Sequence, residues 1–185
     1  MIQVQAMDEL ELIKQRIREA AIGEPPEPWV LLGTIAIGGI TEVGFADDSE
    51  VLLMLSGHDR ELIDCRSGKR LARDTGTEHR SSWYGPHDLI GNGFGPLHGR
   101  QIRLAGASGG GLCFFAPDGW GAVRCPIDWP EEYLLLTAPY YSIHQLTTPF
   151  WKLDKTREAV AWGFSFTGNS LIAATAEGLT IFARK

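Results

Sequence analysis

Cysteine is scarce in this chain. Cys65, Cys113 and Cys125 are an odd set with no C-x-x-C spacing. Neither a disulfide framework nor a structural zinc site is expected from them. Histidine is thinly spread as well: His58, His79, His87, His98 and His144 form no H-x-H or H-x-x-x-H pattern. No metal or other cofactor is expected. Basic charge is in short supply, with 17 Lys and Arg against 23 Asp and Glu and a formal net charge of -6. A nucleic-acid binder needs a basic footprint for phosphates, and no run of Lys or Arg supplies one. Such a charge favours a partner that is itself basic.

Long apolar runs are missing too. Stretches such as 29–32 and 51–55 are far too short to span a bilayer. The opening MIQVQAMDELELIKQ has no basic segment followed by an apolar one, so no signal peptide is expected. These absences predict a reduced, cytoplasmic protein with no membrane partner.

What is present is ordinary globular material. With 44% hydrophobic and 22% charged residues over 185 positions, the chain suits one domain with its own core. Residues 7–21 read as an amphipathic helix, because Leu10, Ile13, Ile17 and Ala20 or Ala21 recur at helical steps. Asp8 and Glu9 come early and Arg16 and Arg18 late, the order the helix dipole prefers. Gly23 and the run Glu24-Pro25-Pro26-Glu27-Pro28 end it. The expected division is therefore 1–28, helix and Pro-rich connector, and 29–185, a single all-β domain. The helix is expected to cover an edge or face of the sheet.

After Pro28 the pattern becomes short strands between turns. They are predicted at 29–37, 40–46, 51–56, 60–65, 69–73, 101–106, 112–116, 121–125, 132–138, 142–147, 150–154, 159–165, 170–176 and 179–184. Turn chemistry separates them, at Asp47-Asp48-Ser49, Ser67-Gly68, Pro117-Asp118-Gly119, Thr167-Gly168-Asn169 and Glu177-Gly178. The fold class is mainly β: antiparallel sheets, propeller-like or sandwich-like, with one N-terminal amphipathic helix. One stretch, 74–100, shows little strand pattern and holds six glycines, two prolines and three histidines. Loops of that length are usually functional or disordered.

An internal repeat underlies the strands. Residues 43–65, VGFADDSEVLLMLSGHDRELIDC, match 162–184, WGFSFTGNSLIAATAEGLTIFAR. Gly44-Phe45 aligns with Gly163-Phe164, Leu52-Leu53 with Leu171-Ile172, Ser56 with Thr175, and Leu62-Ile63 with Ile181-Phe182. Residues 112–125, with Ala116-Pro117-Asp118-Gly119 between Phe115 and Trp120, read as a degenerate third copy. The unit resembles a blade of a β-propeller of the tryptophan–aspartate repeat kind, with its F-S-x-D-G-x-x-L-A-T-x-S pattern. The Trp-Asp dipeptide itself is absent, and at about 40 residues per blade the chain has room for four. As a whole the chain also resembles a family of uncharacterised bacterial proteins that share stretches such as ITEVGFADDSEVLLMLS, IDCRSGKRLARD, DWPEEYLLLT and GFSFTGNSLIAATAEGLTIFAR. By analogy with other small acidic bacterial β proteins, that resemblance implies an immunity protein that neutralises a cognate toxin.

Catalytic groups do not converge in the sequence. Gly106-Ala107-Ser108-Gly109-Gly110 lacks the strand of a nucleophile elbow, and the glycines at 91–95 and 109–111 lack the Lys of a phosphate loop. The carboxylate pairs Asp47-Asp48 and Glu131-Glu132 are adjacent, so on a strand they would face opposite ways. No catalytic residue is assigned, and the chain is read as a non-enzyme. Aromatics beside loops are better candidates for contact. Trp129, Tyr133 and Trp151 are expected in the core, whereas Trp83-Tyr84 and Tyr140-Tyr141 are expected at the surface. The expected binding residues are Trp83, Tyr84, His87, Asp88, Tyr140 and Tyr141. The function expected is non-catalytic binding of another protein, a basic toxin domain in an immunity pairing. The alternative is a small hydrolase or sugar-binding module using the 74–100 loop through His79, His87 and Asp88.

Overall fold

The computed structural model describes residues 2–76, 82–85, 87–157 and 159–185, and side chains from residue 9 onward. Strand accounts for 51% of the chain and helix for 9%, so the architecture is mainly β. The helix, α1 (Ile2–Glu19), begins earlier than the apolar periodicity indicates. Fifteen strands follow: β1 (Trp29–Ala36), β2 (Ile40–Phe45), β3 (Val51–Ser56), β4 (Arg60–Asp64), β5 (Lys69–Asp74), β6 (Tyr84–Gly85), β7 (Ile90–Asn92), β8 (Gln101–Arg103), β9 (Ala105–Gly106), β10 (Gly121–Asp128), β11 (Glu131–Thr137), β12 (Phe150–Thr156), β13 (Ala159–Phe164), β14 (Ser170–Thr175) and β15 (Gly178–Arg184).

Every ladder between these strands is antiparallel, and they form four sheets, ordered β5-β4-β3-β2-β9, β6-β7-β8, β10-β11-β12 and β1-β15-β14-β13. The first strand thus completes the sheet made by the last three. Among the described residues none of the sheets closes into a barrel.

The two repeat copies fold identically. Gly44 faces Leu53 and Phe45 faces Leu52, as Gly163 faces Ile172 and Phe164 faces Leu171. On the next ladder Leu52 meets Ile63 and Leu53 meets Leu62, as Leu171 meets Phe182 and Ile172 meets Ile181. Ser56 and Thr175 also act alike, each hydroxyl accepting backbone N–H groups of the tight turn that follows it. That local competition with the ladder is why a hydroxyl residue ends the strand. The repeat glycines are required by close approach. A Cβ on Gly44 would lie 2.1 Å from the Arg103 carbonyl oxygen, and one on Gly163 would lie 2.6 Å from the Leu112 Cβ.

The inner faces of these two units pack on each other, with Val43, Phe45, Leu52 and Met54 against Ile172 and Ile181. A second cluster gathers Trp29, Trp120, Trp162 and Phe164 with Leu134 and Leu136. Helix α1 covers a face of the β10-β11-β12 sheet, where Ile13 and Ile17 pack with Cys125, Tyr133 and Leu135. Burying such side chains stabilises by roughly 1.5–3 kcal/mol each. At the end of the helix the Lys152 Nζ donates to the Arg18 carbonyl oxygen at 3.0 Å. A cation there complements the helix dipole.

Three expectations from the sequence need correction. Residues 142–147 form no strand, because Ser142 and Gln145 carbonyl oxygens accept turn hydrogen bonds from Gln145 and Thr148 N–H groups. Residues 112–116 contribute only isolated bridges, at Cys113 and Phe115. The 74–100 stretch does carry strands, the short β6 and β7, which pair with each other, and β7 pairs with β8. Their shortness hides them from any periodicity.

Candidate functional site

A large apolar groove of about 860 Å³ lies beside β10. One wall is the segment before β10, where Phe114 and Phe115 project outward, Phe115 at 67% exposure. Its geometry follows from a small hairpin: Ala116 N–H donates to the Trp120 carbonyl and Ala122 N–H to the Phe114 carbonyl. The intervening Pro117-Asp118-Gly119 turn is tied to the last strand. Arg184 donates to both carboxylate oxygens of Asp118, each at 2.7 Å, while its guanidinium lies 4.7 Å from the Trp29 ring. The Arg184 hydrogen bond holds the Asp118 carboxyl below the usual carboxylate range, ahead of an opposing effect of burial.

The connection from β11 to β12, residues 138–149, also contributes to the lining through residues 140–144. Tyr140 occupies the left-handed backbone region at φ 64, uncommon for a residue with a side chain. Its N–H donates to the Gly119 carbonyl at 3.0 Å, yet the residue is 84% exposed. Tyr141 beside it is also exposed, and its N–H donates to the Ala138 carbonyl at 3.3 Å. The connection is pinned further along. The Arg16 guanidinium on α1 donates to the carbonyl oxygens of Leu146 at 2.6 Å and Thr148 at 2.7 Å, and the buried Thr148 hydroxyl donates to the Ser142 carbonyl. The groove thus combines exposed rings with a fixed backbone, the condition under which aromatic contacts cost little ordering entropy.

Arg124 and His144 are the charged or imidazole side chains of the lining, which among the described residues includes no Asp or Glu. Arg124 donates to Glu132 through Nε at 2.8 Å and Nη2 at 2.6 Å, which anchors its head at the groove edge.

Of the residues singled out in the sequence, Tyr140 and Tyr141 line this groove and Trp83, Tyr84, His87 and Asp88 do not. The surface expected for Trp83 is corrected: it is 1% exposed, under the Arg60 guanidinium at 5.4 Å from its ring. Tyr84 is half-buried on β6 and packs with Leu53, Leu62 and Ile102. His87 and Asp88 are exposed on the turn between β6 and β7. His79 lies outside the described residues. Among the described residues no three His, Cys, Asp or Glu side chains gather as a metal site. The core expected for Trp129 is corrected as well, since it stands 76% exposed on the β10–β11 turn. Tyr133 is buried as expected, and Trp151 is half-buried against Trp120 at 5.8 Å.

Phe114 and Phe115 were not identifiable from the sequence. Two adjacent phenylalanines inside a candidate strand signal burial on at least one face. The signal available was the flanking pair Gly109-Gly110-Gly111 and Pro117, which limits strand pairing on either side. In comparison with known proteins, no family model matches this chain and no curated protein matches it. Among the described residues, no helix is long and apolar enough to cross a membrane.

Proposed function

We propose that this chain is a non-catalytic protein-binding protein of the bacterial immunity type, which neutralises a basic toxin domain and contacts it through the aromatic groove. The observation that carries the reading is Tyr140, 84% exposed yet held in a left-handed backbone conformation against Gly119. Rigid exposed aromatics are the usual anchors of protein interfaces. The net charge of -6 supports the choice of a basic partner, because it attracts one at long range. The resemblance to the bacterial family supports the immunity pairing.

The test is co-expression with the product of the adjacent gene, followed by affinity measurement on purified protein. Tyr140→Gly combined with Phe115→Ser should weaken the complex about a hundredfold, two anchors at about tenfold each. Its melting temperature should stay near that of the wild type. Unchanged affinity in the double variant, or no complex with the neighbouring product, would sink the reading.

A further inference from the structure

We infer that the open edge of β10 beside the aromatic groove receives an extended segment of the partner, with apolar side chains at alternate positions and a carboxylate facing Arg124 and His144. The inference rests on the protein-binding reading above and states what the groove accepts.

Three observations lead there. β10 is an outer strand, paired with β11 on one side. On the other side the Ala122 N–H is taken by the Phe114 carbonyl, and no described strand pairs beyond that point. Backbone direction alternates along a strand, so Arg124, two residues on, turns its N–H and C=O toward the same open side. Arg124 also lines the groove. Pro126 comes next in that phase and has no N–H, so the offered edge is short and defined in register.

Second, the walls suit side chains from an added strand. Phe115 and Tyr140 stand exposed on the lining, together with the apolar Val123 and Ile143. An added strand sends successive side chains to opposite faces, so alternate positions of the incoming segment would enter the groove.

Third, charge selects within that class. The chain carries 23 acidic against 17 basic residues, yet the described lining holds Arg124 and His144 and no carboxylate. The Arg124 Nε and Nη2 bond Glu132, which fixes the head in place and leaves its remaining N–H donors to meet a carboxylate of the incoming segment. A partner basic as a whole is drawn in by net charge, while the segment that seats is apolar with a local acid.

The probe is a short capped peptide that alternates valine and tryptophan with glutamate, followed by fluorescence anisotropy on the full chain. Two relatives serve as controls: lysine in place of glutamate, and N-methylation of alternate backbone amides. The acidic peptide should bind about tenfold tighter than the lysine peptide, and N-methylation should cost about tenfold. Phe115→Ala should weaken the acidic peptide, and His144→Glu should narrow the gap between acidic and lysine forms. Both side chains are exposed, so the melting temperature reports that the fold is intact. Lysine preference, indifference to N-methylation, or failure of the acidic peptide to bind below millimolar concentration overturns the inference. If the identified partner is weakened by Phe115→Ala but binds His144→Glu at wild-type affinity, this inference falls and the protein-binding reading stands. If the peptides behave as expected and the neighbouring gene product does not bind, the immunity pairing falls and the groove still accepts such a segment from another protein.

Discussion

The Tyr140 ring lies against the backbone of Gly119: a Cβ on Gly119 would fall 2.7 Å from the ring carbon Cε1. Gly119 has φ 92, a conformation that side chains resist. Gly119→Ala should therefore both strain its turn and push Tyr140 off its seat. The expected cost is about 1–3 kcal/mol in urea denaturation. Gly57→Ala, where a Cβ meets nothing within 4 Å, should cost well under that. Equal costs at the two positions would contradict the packing described.

Arg16 links the helix to the groove. Arg16→Ala removes two donors to the 138–149 connection and the guanidinium stacked 4.7 Å from the Phe150 ring. Stability should fall by about 1–3 kcal/mol. Hydrogen exchange should accelerate at Tyr141, Gln145 and Thr148 more than in the β14 ladder. Uniform acceleration across the chain would show that the helix does not brace this connection.

The three thiols should react unequally. Burial pushes the Cys125 thiol up to about 11, and burial, then Glu50 and Asp64, raises Cys65 further. Both are buried, whereas Cys113 is half-buried beside the Phe45 and Phe164 pocket. At pH 8 a maleimide should label Cys113 in the native protein, and Cys65 and Cys125 only after unfolding. Mass spectrometry of labelled peptides reads this directly.

Acid should destabilise the protein below about pH 4, the usual carboxylate range. Asp118 is depressed by Arg184, and Asp128 by the Tyr133 hydroxyl and then Arg18. For Asp59 burial is the largest effect and acts upward, but hydrogen bonds from Ser56 and Arg73 outweigh it and leave the carboxyl depressed. A depressed carboxyl binds fewer protons folded than unfolded. Its stabilisation is complete above the unfolded value and disappears as pH falls through the folded one. Asp154, raised by burial, acts in the opposite sense. Asp118→Asn should therefore lower stability at pH 7 and shrink the difference between pH 7 and pH 3. Denaturant titrations at both pH values measure it.

Much of the scaffold was legible in the residues. The repeat of Gly44-Phe45 and Gly163-Phe164 gave two meanders whose registers coincide, because turn chemistry at Ser56 and Thr175 acts over a few neighbouring residues. The helix was legible through Ile13 and Ile17. The site was legible only in part. Tyr140 and Tyr141 stood out as aromatics between a proline and a serine, but Trp83 looked much the same and is buried. Residues 142–147 read as a strand in the sequence, though backbone groups there are spent on local turns.

What the sequence by itself determined is therefore the mainly β class, the helix, and the repeated strand–turn–strand unit, all of which depend on contacts within a few residues. Only the tertiary structure decided that Phe114, Phe115, Tyr140 and Tyr141 share one groove, and that Trp83 shares none of it. Exposure is set by whether a distant segment covers a side chain. For Trp83 that cover includes Arg60; Tyr140 rests beside Gly119, which has no side chain to hide the ring.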